Sequence, residues 1–292
     1  MNKKVVIITG AGNGFGKLAA IEFSRRGHAV YATMRDIAGR NKSSRDELLE
    51  AARSGGHDLH VVEMDVTDET SVQTAVDDIA DRAGRIDTLI NNAGVMYVGV
   101  TEAFTLEQVK HQFNVNFFGS VRANRAVLPY MRSARSGLII HVSSLGGRAV
   151  FPFFSIYCAS KFALEALAEA YHYELSGLGV DSVIVEPGPF PSNLLPTSPA
   201  PADHARLGGY SEQTKLSVQL KGGFDQMFKS SNPPRPQLVV DAFINLVEST
   251  EKRPLRTVVM PEGLDFGIER MNQAIAPIQN DLLGALGLSN MV

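Results

Sequence analysis

The sequence predicts an α/β fold built on an open parallel sheet. Three observations carry the prediction. Short β-branched runs alternate with helical stretches along most of the 292 residues. The first run, Val5–Ile8, passes at once into a glycine-rich loop and then a helix. The residues of chemical interest (the glycine loop, Asp65, the turn at Asn91 and Ser144) all fall where a strand ends, the edge at which open α/β sheets bind ligands.

Length and composition set the bounds. A chain of this size suits one large domain or two small ones. Hydrophobic residues make up 44% and charged residues 20%, enough for an enzyme-sized core. The net charge of −3 comes without a long run of one sign, which disfavours nucleic acid or an anionic membrane as a partner. The single cysteine, Cys158, excludes an intrachain disulfide and fits a reducing compartment; it reads as a packed small side chain rather than a reactive thiol. The start of the chain has two lysines but too short an apolar run for a secretory signal, and no stretch approaches the ~18 apolar residues of a membrane span. A cytoplasmic protein without a membrane span is the expectation.

Taken in order, Val5–Ile8 is the run expected of a parallel strand buried on both faces. Residues 9–16 follow as T-G-x-x-x-G-x-G, and a helical stretch then runs to Gly27. Strand, glycine loop and helix in that order set backbone N–H groups and a helix N-terminus against a phosphate, and the glycines let the backbone approach a pyrophosphate closely. Ala29–Met34 reads as the second strand. An acid near its end would hold an adenosine ribose, whereas an arginine accommodates a 2′-phosphate. Here Thr33 and Met34 are neutral, Arg35 follows, and Asp36 comes next. A guanidinium grips phosphate in bidentate fashion, which favours NADP(H). NAD(H) stays possible if Asp36 takes the ribose and Arg35 points to solvent.

Residues 37–58 are polar, with a helix expected over 45–53. The third strand, 59–64, ends at Asp65 and Val66, where a carboxylate is placed to accept from an adenine amino group. Asp68 is a capping residue for a helix over 69–82. The fourth strand, 86–90, leads into the turn of Asn91, Asn92, Ala93 and Gly94. Residues 105–132 have helical character. Asn116 inside them is a mediocre helix former, so it marks a local break or a water-binding site, or is a tolerated surface asparagine. The fifth strand, 138–142, delivers Ser143 and Ser144 at its end.

Tyr157 and Lys161 stand four apart and share one face of a helix expected over 157–177. Leu164, Leu167, Tyr171, Leu175 and Leu178 form that helix's packing stripe. A cation beside a phenol can lower its pKa from the ordinary value near ~10; in isolation the pair would read as surface residues. Residues 181–185 are the sixth strand, closed by Glu186, Pro187, Gly188 and Pro189. The character then changes. Residues 189–236 hold seven prolines between Pro189 and Pro234, with an amphipathic piece at 214–228. A substrate lid belongs in such an insertion after a strand end, and a mobile surface excursion is the other reading. Residues 256–260 read as the last strand, and the tail, 261–292, is apolar enough to pack on a partner subunit or near the pocket.

Together these residues resemble the short-chain dehydrogenase/reductase family. The resemblance covers roughly residues 3–192 and the last strand. It rests on Thr9, Gly10, Gly14, Phe15 and Gly16, on Asp65, on Asn91, Asn92, Ala93 and Gly94, on Asn116, Ser144, Tyr157 and Lys161, and on Pro187 and Gly188, in order and at family-like spacing. It implies a single Rossmann-type domain over 1–292: a doubly wound, three-layer α/β/α arrangement with a seven-stranded parallel sheet in order 3-2-1-4-5-6-7, usually assembled as a homodimer or homotetramer. It implies catalysis by Asn116, Ser144, Tyr157 and Lys161, with no metal. Cofactor binding would fall to Gly10, Asn13, Gly14, Phe15, Gly16, Arg35, Asp65, Val66, Asn91, Ala93, Gly94, Tyr157, Lys161, Pro187, Gly188 and Ser192. Two positions depart from the pattern. Asn13 stands where many NADP-dependent members carry a basic residue, which leaves Arg35 alone to grip a phosphate. After Pro187 and Gly188 the family often has a threonine for the nicotinamide carboxamide, and Ser192 is the nearest hydroxyl here.

The stretches 31–36 and 146–165 resemble the branch containing 17-beta-hydroxysteroid and retinol dehydrogenases, which favours bulky apolar alcohols and ketones. Phe151, Phe153 and Phe154 suit an apolar pocket. The implied activity is an NADPH-dependent carbonyl reductase, reversible as an alcohol dehydrogenase. Tyr157 would donate the proton, Ser144 bind the substrate oxygen, Lys161 hold the nicotinamide ribose and stabilise tyrosinate, and Asn116 position a water. A 3-oxoacyl-thioester reductase is one alternative, which a basic patch for an acidic carrier protein would favour. A non-catalytic NADP(H)-sensing protein is the other, against which stands the presence of all four catalytic residues.

Overall fold

A computed structural model describes residues 2–291; Met1 and Val292, the two ends of the span expected to form one domain, lie outside them. The first half alternates strictly: β1 (Val5–Ile8), α1 (Gly14–Arg25), β2 (Ala29–Met34), α2 (Lys42–Gly55), β3 (Leu59–Glu63), α3 (Glu69–Ala83) and β4 (Thr88–Asn91). Helices α4 (Leu106–Phe113) and α5 (Gly119–Ala134) follow, then β5 (Gly137–Val142), α6 (Ser155–Ser176) and β6 (Val180–Pro187). The last third holds α7 (His204–Leu207), α8 (Ser211–Phe228), α9 (Gln237–Glu248), β7 (Arg256–Val259) and α10 (Ile268–Ala285). All seven strands pair in parallel, in the order β3-β2-β1-β4-β5-β6-β7.

The side chains of β1 explain the layering. Successive residues of a strand point to opposite faces, and here both faces are covered. Val6 and Ile8 pack with Phe23 of α1 and Val240 and Phe243 of α9. Val5 and Ile7 pack with Val76 and Ile79 of α3 and Val127 and Met131 of α5. No solvated face remains, so β1 is uniformly apolar rather than alternating. Each such side chain taken fully out of water contributes about 1.5–3 kcal/mol, and Ile7, Ile8, Phe23 and Phe243 are fully buried.

Two departures from the sequence reading bear on the site. The helix expected over 105–132 is broken: α4 opens with a capping box of Thr105 and Gln108, and a π-helical segment, Asn114–Phe118, separates it from α5. Asn116 sits inside that segment, so it marks a local break; at 1% exposure it is not a surface asparagine. In the stretch 189–236 the amphipathic piece expected at 214–228 belongs to a longer helix, the 18-residue α8, and α9 behind it was not foreseen. No helix among the described residues is long and apolar enough to cross a membrane.

Candidate active site

Two cavities meet at the C-terminal ends of the central strands. One lies over the glycine loop and the other beside the start of α6, and Phe15, Asn92, Gly94, Val95, Ser192 and Leu194 wall both.

The glycine-loop cavity follows from two close approaches. A Cβ on Gly10, whose φ is +66°, would lie 2.7 Å from Cα of Ala93, and one on Gly16 would lie 2.9 Å from the Gly10 carbonyl oxygen. Only glycine lets the end of β1, the end of β4 and the first turn of α1 converge this tightly. Asn92 locks the junction: its Nδ2 donates to the Thr9 and Gly10 carbonyls at 2.9 and 3.1 Å. The N-cap of α1, Asn13, makes no side-chain bond, and the helix's first turn carries no acid. Its leading N–H groups are therefore left for an anion.

Arg35 lines this cavity, and so do Arg40, Asn41 and Ser44. Arg35 is therefore not the only guanidinium on this cavity, which the sequence did not show. A second guanidinium and the start of α2 face the same space. Asp36 is engaged elsewhere, its carboxylate accepting from the backbone N–H of Arg40 at 2.8 Å within its own turn. Asp65 and Val66 both line the cavity. Burial acts to raise the Asp65 pKa, but two bonds from Thr67, at 2.7 and 2.9 Å, together with the charges of Arg35 and Arg122, outweigh it and hold the carboxylate below its ordinary value.

Of the remaining residues read from sequence, Gly10, Asn13, Gly14, Phe15, Ala93, Gly94 and Ser192 line the glycine-loop cavity, and Pro187 and Gly188 line the other. Gly16 and Asn91 line neither. Asn91 is 3% exposed and its Nδ2 donates to Asn124 Oδ1 on α5 at 2.7 Å, so its neighbour Asn92 takes the cavity face. Adjacent residues at a strand end point to opposite sides.

In the second cavity Ser144, Tyr157 and Lys161 come together, with Val142, Leu145 and Cys158 around them. Ser144 caps a short 3₁₀ turn, accepting from the Gly146 N–H at 3.0 Å. Lys161 Nζ donates to the Val142 carbonyl at 2.7 Å and lies 5.8 Å from the centroid of the Tyr157 ring. Burial pushes the Tyr157 phenol up to about 12, although the Ser144 hydroxyl beside it acts to lower it. Burial brings Lys161 down to about 8, with the nearby Glu165 carboxylate opposing. The expected lowering of the phenol by Lys161 is thus absent with the protein's own groups alone: desolvation dominates and the ammonium is turned to a carbonyl. Cys158 is buried and its thiol is raised by burial, which makes it a packing residue.

Asn116 reaches this constellation indirectly. Its Oδ1 accepts from the Val95 N–H at 2.8 Å, and its Nδ2 donates to the Val95 carbonyl and to Ser160 Oγ, both at 3.0 Å. Ser160 in turn donates to the Tyr157 carbonyl at 2.7 Å. The amide therefore ties the wall between the two cavities to the helix that carries Tyr157.

The rest of the second cavity is apolar. Phe151 and Phe154 line it, and Phe190, Leu195, Phe224, Phe228 and Phe266 enclose it from the chain beyond β6. Phe154 meets Phe224 edge-on at 6.1 Å. Phe153, expected beside them, packs behind the wall in a left-handed conformation at φ 70°.

Behind Lys161 lies a buried ionic cluster that no sequence pattern announced. Arg256 reaches Glu165 at 3.0 Å and Glu169 at 2.6 Å. Asn272 of α10 accepts from Arg148 at 2.8 Å and donates to the fully buried Glu186 at 2.6 Å. Burial, followed by the charge of Glu165, raises Glu186 to about 8.

Comparison with known proteins agrees with this architecture. Residues 4–201 match the family described as short chain dehydrogenase. A 3-ketodihydrosphingosine reductase of Bacteroides thetaiotaomicron is 42% identical over 190 residues, 65% of this chain and 65% of that protein, so the match spans less than two thirds of that relative. Human retinol dehydrogenase 8 is 34% identical over 87% of this chain and 80% of its own length. Among solved structures, a short-chain dehydrogenase from Streptomyces avermitilis superposes with a TM-score of 0.74 at 30% identity, covering 99% of this chain and 98% of that one.

Proposed function

The chain belongs to the short-chain dehydrogenase family of oxidoreductases, and from that premise we propose that it is an NADPH-dependent reductase of bulky apolar ketones, reversible as an alcohol dehydrogenase. One observation carries the reading: Ser144, Tyr157 and Lys161 stand in an apolar cavity that shares a wall with the glycine-loop cavity.

The protein's residues fit a nicotinamide dinucleotide. The N-terminus of α1 and the glycine cradle would hold the pyrophosphate, Asp65 and Val66 the adenine end, and Lys161 the nicotinamide ribose. Arg35 and Arg40 favour a 2′-phosphate, because two guanidiniums face the cavity while Asp36 is committed to its own turn. The bound cofactor, when reduced, supplies the hydride. Ser144 donates a hydrogen bond to the substrate oxygen, and Tyr157 transfers its proton there as negative charge develops. Burial holds the phenol protonated well above neutral pH, the form that reduction requires. In the oxidative direction, lowering it from about 12 to near ~7 demands roughly 7 kcal/mol, so stabilisation by Lys161 matters most there. Asn116 holds the shared wall, and Ser192, which lines both cavities, would take the nicotinamide carboxamide.

The substrate class follows from the lining. An aromatic and aliphatic cavity with Ser144 and Tyr157 at one end suits a ketone carried on a long or polycyclic apolar frame, and the relatives named for 3-ketodihydrosphingosine and for estradiol support that class. Residues 189–236 act as the lid, since α8 contributes Phe224 and Phe228 to the wall. Tyr157→Phe tests the assignment: turnover should fall by about 10²–10⁴-fold while NADPH binding persists. Near-normal turnover would overturn it.

A further inference from the structure

Glu165 is a buried acid with no part in the chemistry above. It stands one helical turn beyond Lys161 on α6, and residues four apart on a helix share a face, with about 5–6 Å between their Cβ atoms. Lys161 is 5% exposed and lines the apolar cavity. Glu165 is 3% exposed and lines neither cavity, so it touches neither substrate nor cofactor. Its Oε2 accepts from Arg256 Nε at 3.0 Å. Its Oε1 has no hydrogen-bond partner among the described residues. That oxygen is packed toward Gly147, where a Cβ would lie 3.0 Å from Glu165 Cγ, 3.2 Å from Oε1 and closer still to the Ser143 hydroxyl. Gly147 is not in the left-handed region, so its missing side chain makes room for this carboxylate rather than for a turn.

The groups around the pair single out its charge. The Tyr157 phenol and the Cys158 thiol, on the same helix, are kept protonated by burial. Burial and the charge of Lys161 keep His141 of β5 neutral. Glu165 is the acid whose charge opposes the desolvation of the Lys161 ammonium. Glu169 lies two turns further on, about 12 Å along the axis from Lys161. Glu186 of β6 faces Asn272, with Arg148 at 3.8 Å. Burial raises Glu165 too, but the proton this cluster keeps belongs on Glu186: it lies farther from Arg256 Nε, 3.4 against 3.0 Å, and burial followed by the charge of Glu165 raises it to about 8. We propose that Glu165 is a positioning residue for the reaction: its buried carboxylate, held by Arg256 of β7, is the counter-charge that keeps Lys161 an ammonium at the cavity wall. The proposal rests on the reading of Lys161 as the cation that holds the nicotinamide ribose.

The test is the pH dependence of NADPH binding by the full chain, followed by the fluorescence of the bound nicotinamide, with circular dichroism as the check on folding. In wild type, binding should decline as pH rises through about 8, where Lys161 loses its proton. Glu165→Gln should move that decline down by about 1 pH unit, because an ammonium without its opposite charge gives up its proton more readily. Glu165→Asp, which returns the charge, should bring the decline back toward the wild-type position. Glu169→Gln takes a carboxylate from the same Arg256 and should leave the decline in place, which tells a general loosening of the cluster from the loss of this one charge. Should Glu165→Gln fail to fold, Glu165→Met, which leaves no polar atom to satisfy, should move the decline in the same direction. A decline unmoved by Glu165→Gln, one moved equally by Glu169→Gln, one abolished by Glu186→Gln, or failure of both the glutamine and methionine variants to fold would each overturn the proposal. Absence of NADPH binding by wild type at every pH would instead overturn the reading of the site on which it rests.

Discussion

Asn116→Ala isolates the role of the π-helical segment. The amide makes three bonds, all inside the protein. Two of its partners have other bonds: the Val95 carbonyl also accepts from Gln112 at 2.7 Å, and Ser160 still donates to Tyr157. The Val95 N–H has no such substitute. Leaving one buried donor unpaired costs about 1–3 kcal/mol, and losing two further bonds adds about 0.5–1 kcal/mol each. The expected loss is therefore on the order of 2–5 kcal/mol. Urea unfolding followed by circular dichroism should show the midpoint falling by roughly 1 M with the slope unchanged. Asn116→Asp should be no better, because a carboxylate cannot donate to Val95 or Ser160 and would be buried with its charge. Activity should fall along with stability, since Val95 walls both cavities. A loss below about 0.5 kcal/mol would refute this account and return Asn116 to a role met by water.

Other outcomes follow from the same geometry. Lys161 carries its charge only below its lowered pKa of about 8, so kcat/KM for the cofactor should be level near neutral pH and decline as pH rises through that value; a profile flat to about pH 10 in a titration series would contradict it. Arg35→Ala and Arg40→Ala should each cost about 10–100-fold in kcat/KM for NADPH and little for NADH, read from parallel cofactor kinetics. Phe224→Ala should raise KM for a polycyclic or long-chain ketone by roughly tenfold while sparing a small ketone, since the ring packs on Phe154 at the cavity wall. Arg256→Met should destabilise by about 3–5 kcal/mol in thermal or chemical unfolding, because it leaves the buried Glu165 without the guanidinium that pairs with it.

What the sequence showed and what it hid divide along physical lines. Strands and most helices were legible because burial on both faces leaves unbroken β-branched runs, and β1 and β2 fall where the runs predict. Strand order was available through the resemblance, not through any local signal. Arg40, Asn41 and Ser44 were missed because they lie in a polar stretch that looks like a solvated connection; only the fold of the turn after β2 aims them at the cavity. Asn91 and Asn92 are chemically identical in sequence, and the parity of a strand end decided between them. The ionisation of Tyr157 depends on desolvation by residues scattered from Val95 to Phe266, which no spacing reveals.

The clamp at Asn272 bears on how the molecule is made. It joins α10 to Arg148, 124 residues earlier, and to Glu186, 86 residues earlier. Neither bond can form until the chain as far as Asn272 has emerged from the ribosome. Until then Glu186 lacks the amide donor that Asn272 supplies. Closing so long a loop is slow relative to local helix formation. A polypeptide made only as far as β7 would thus have its sheet paired before α10 ties Arg148 to Glu186 behind Lys161.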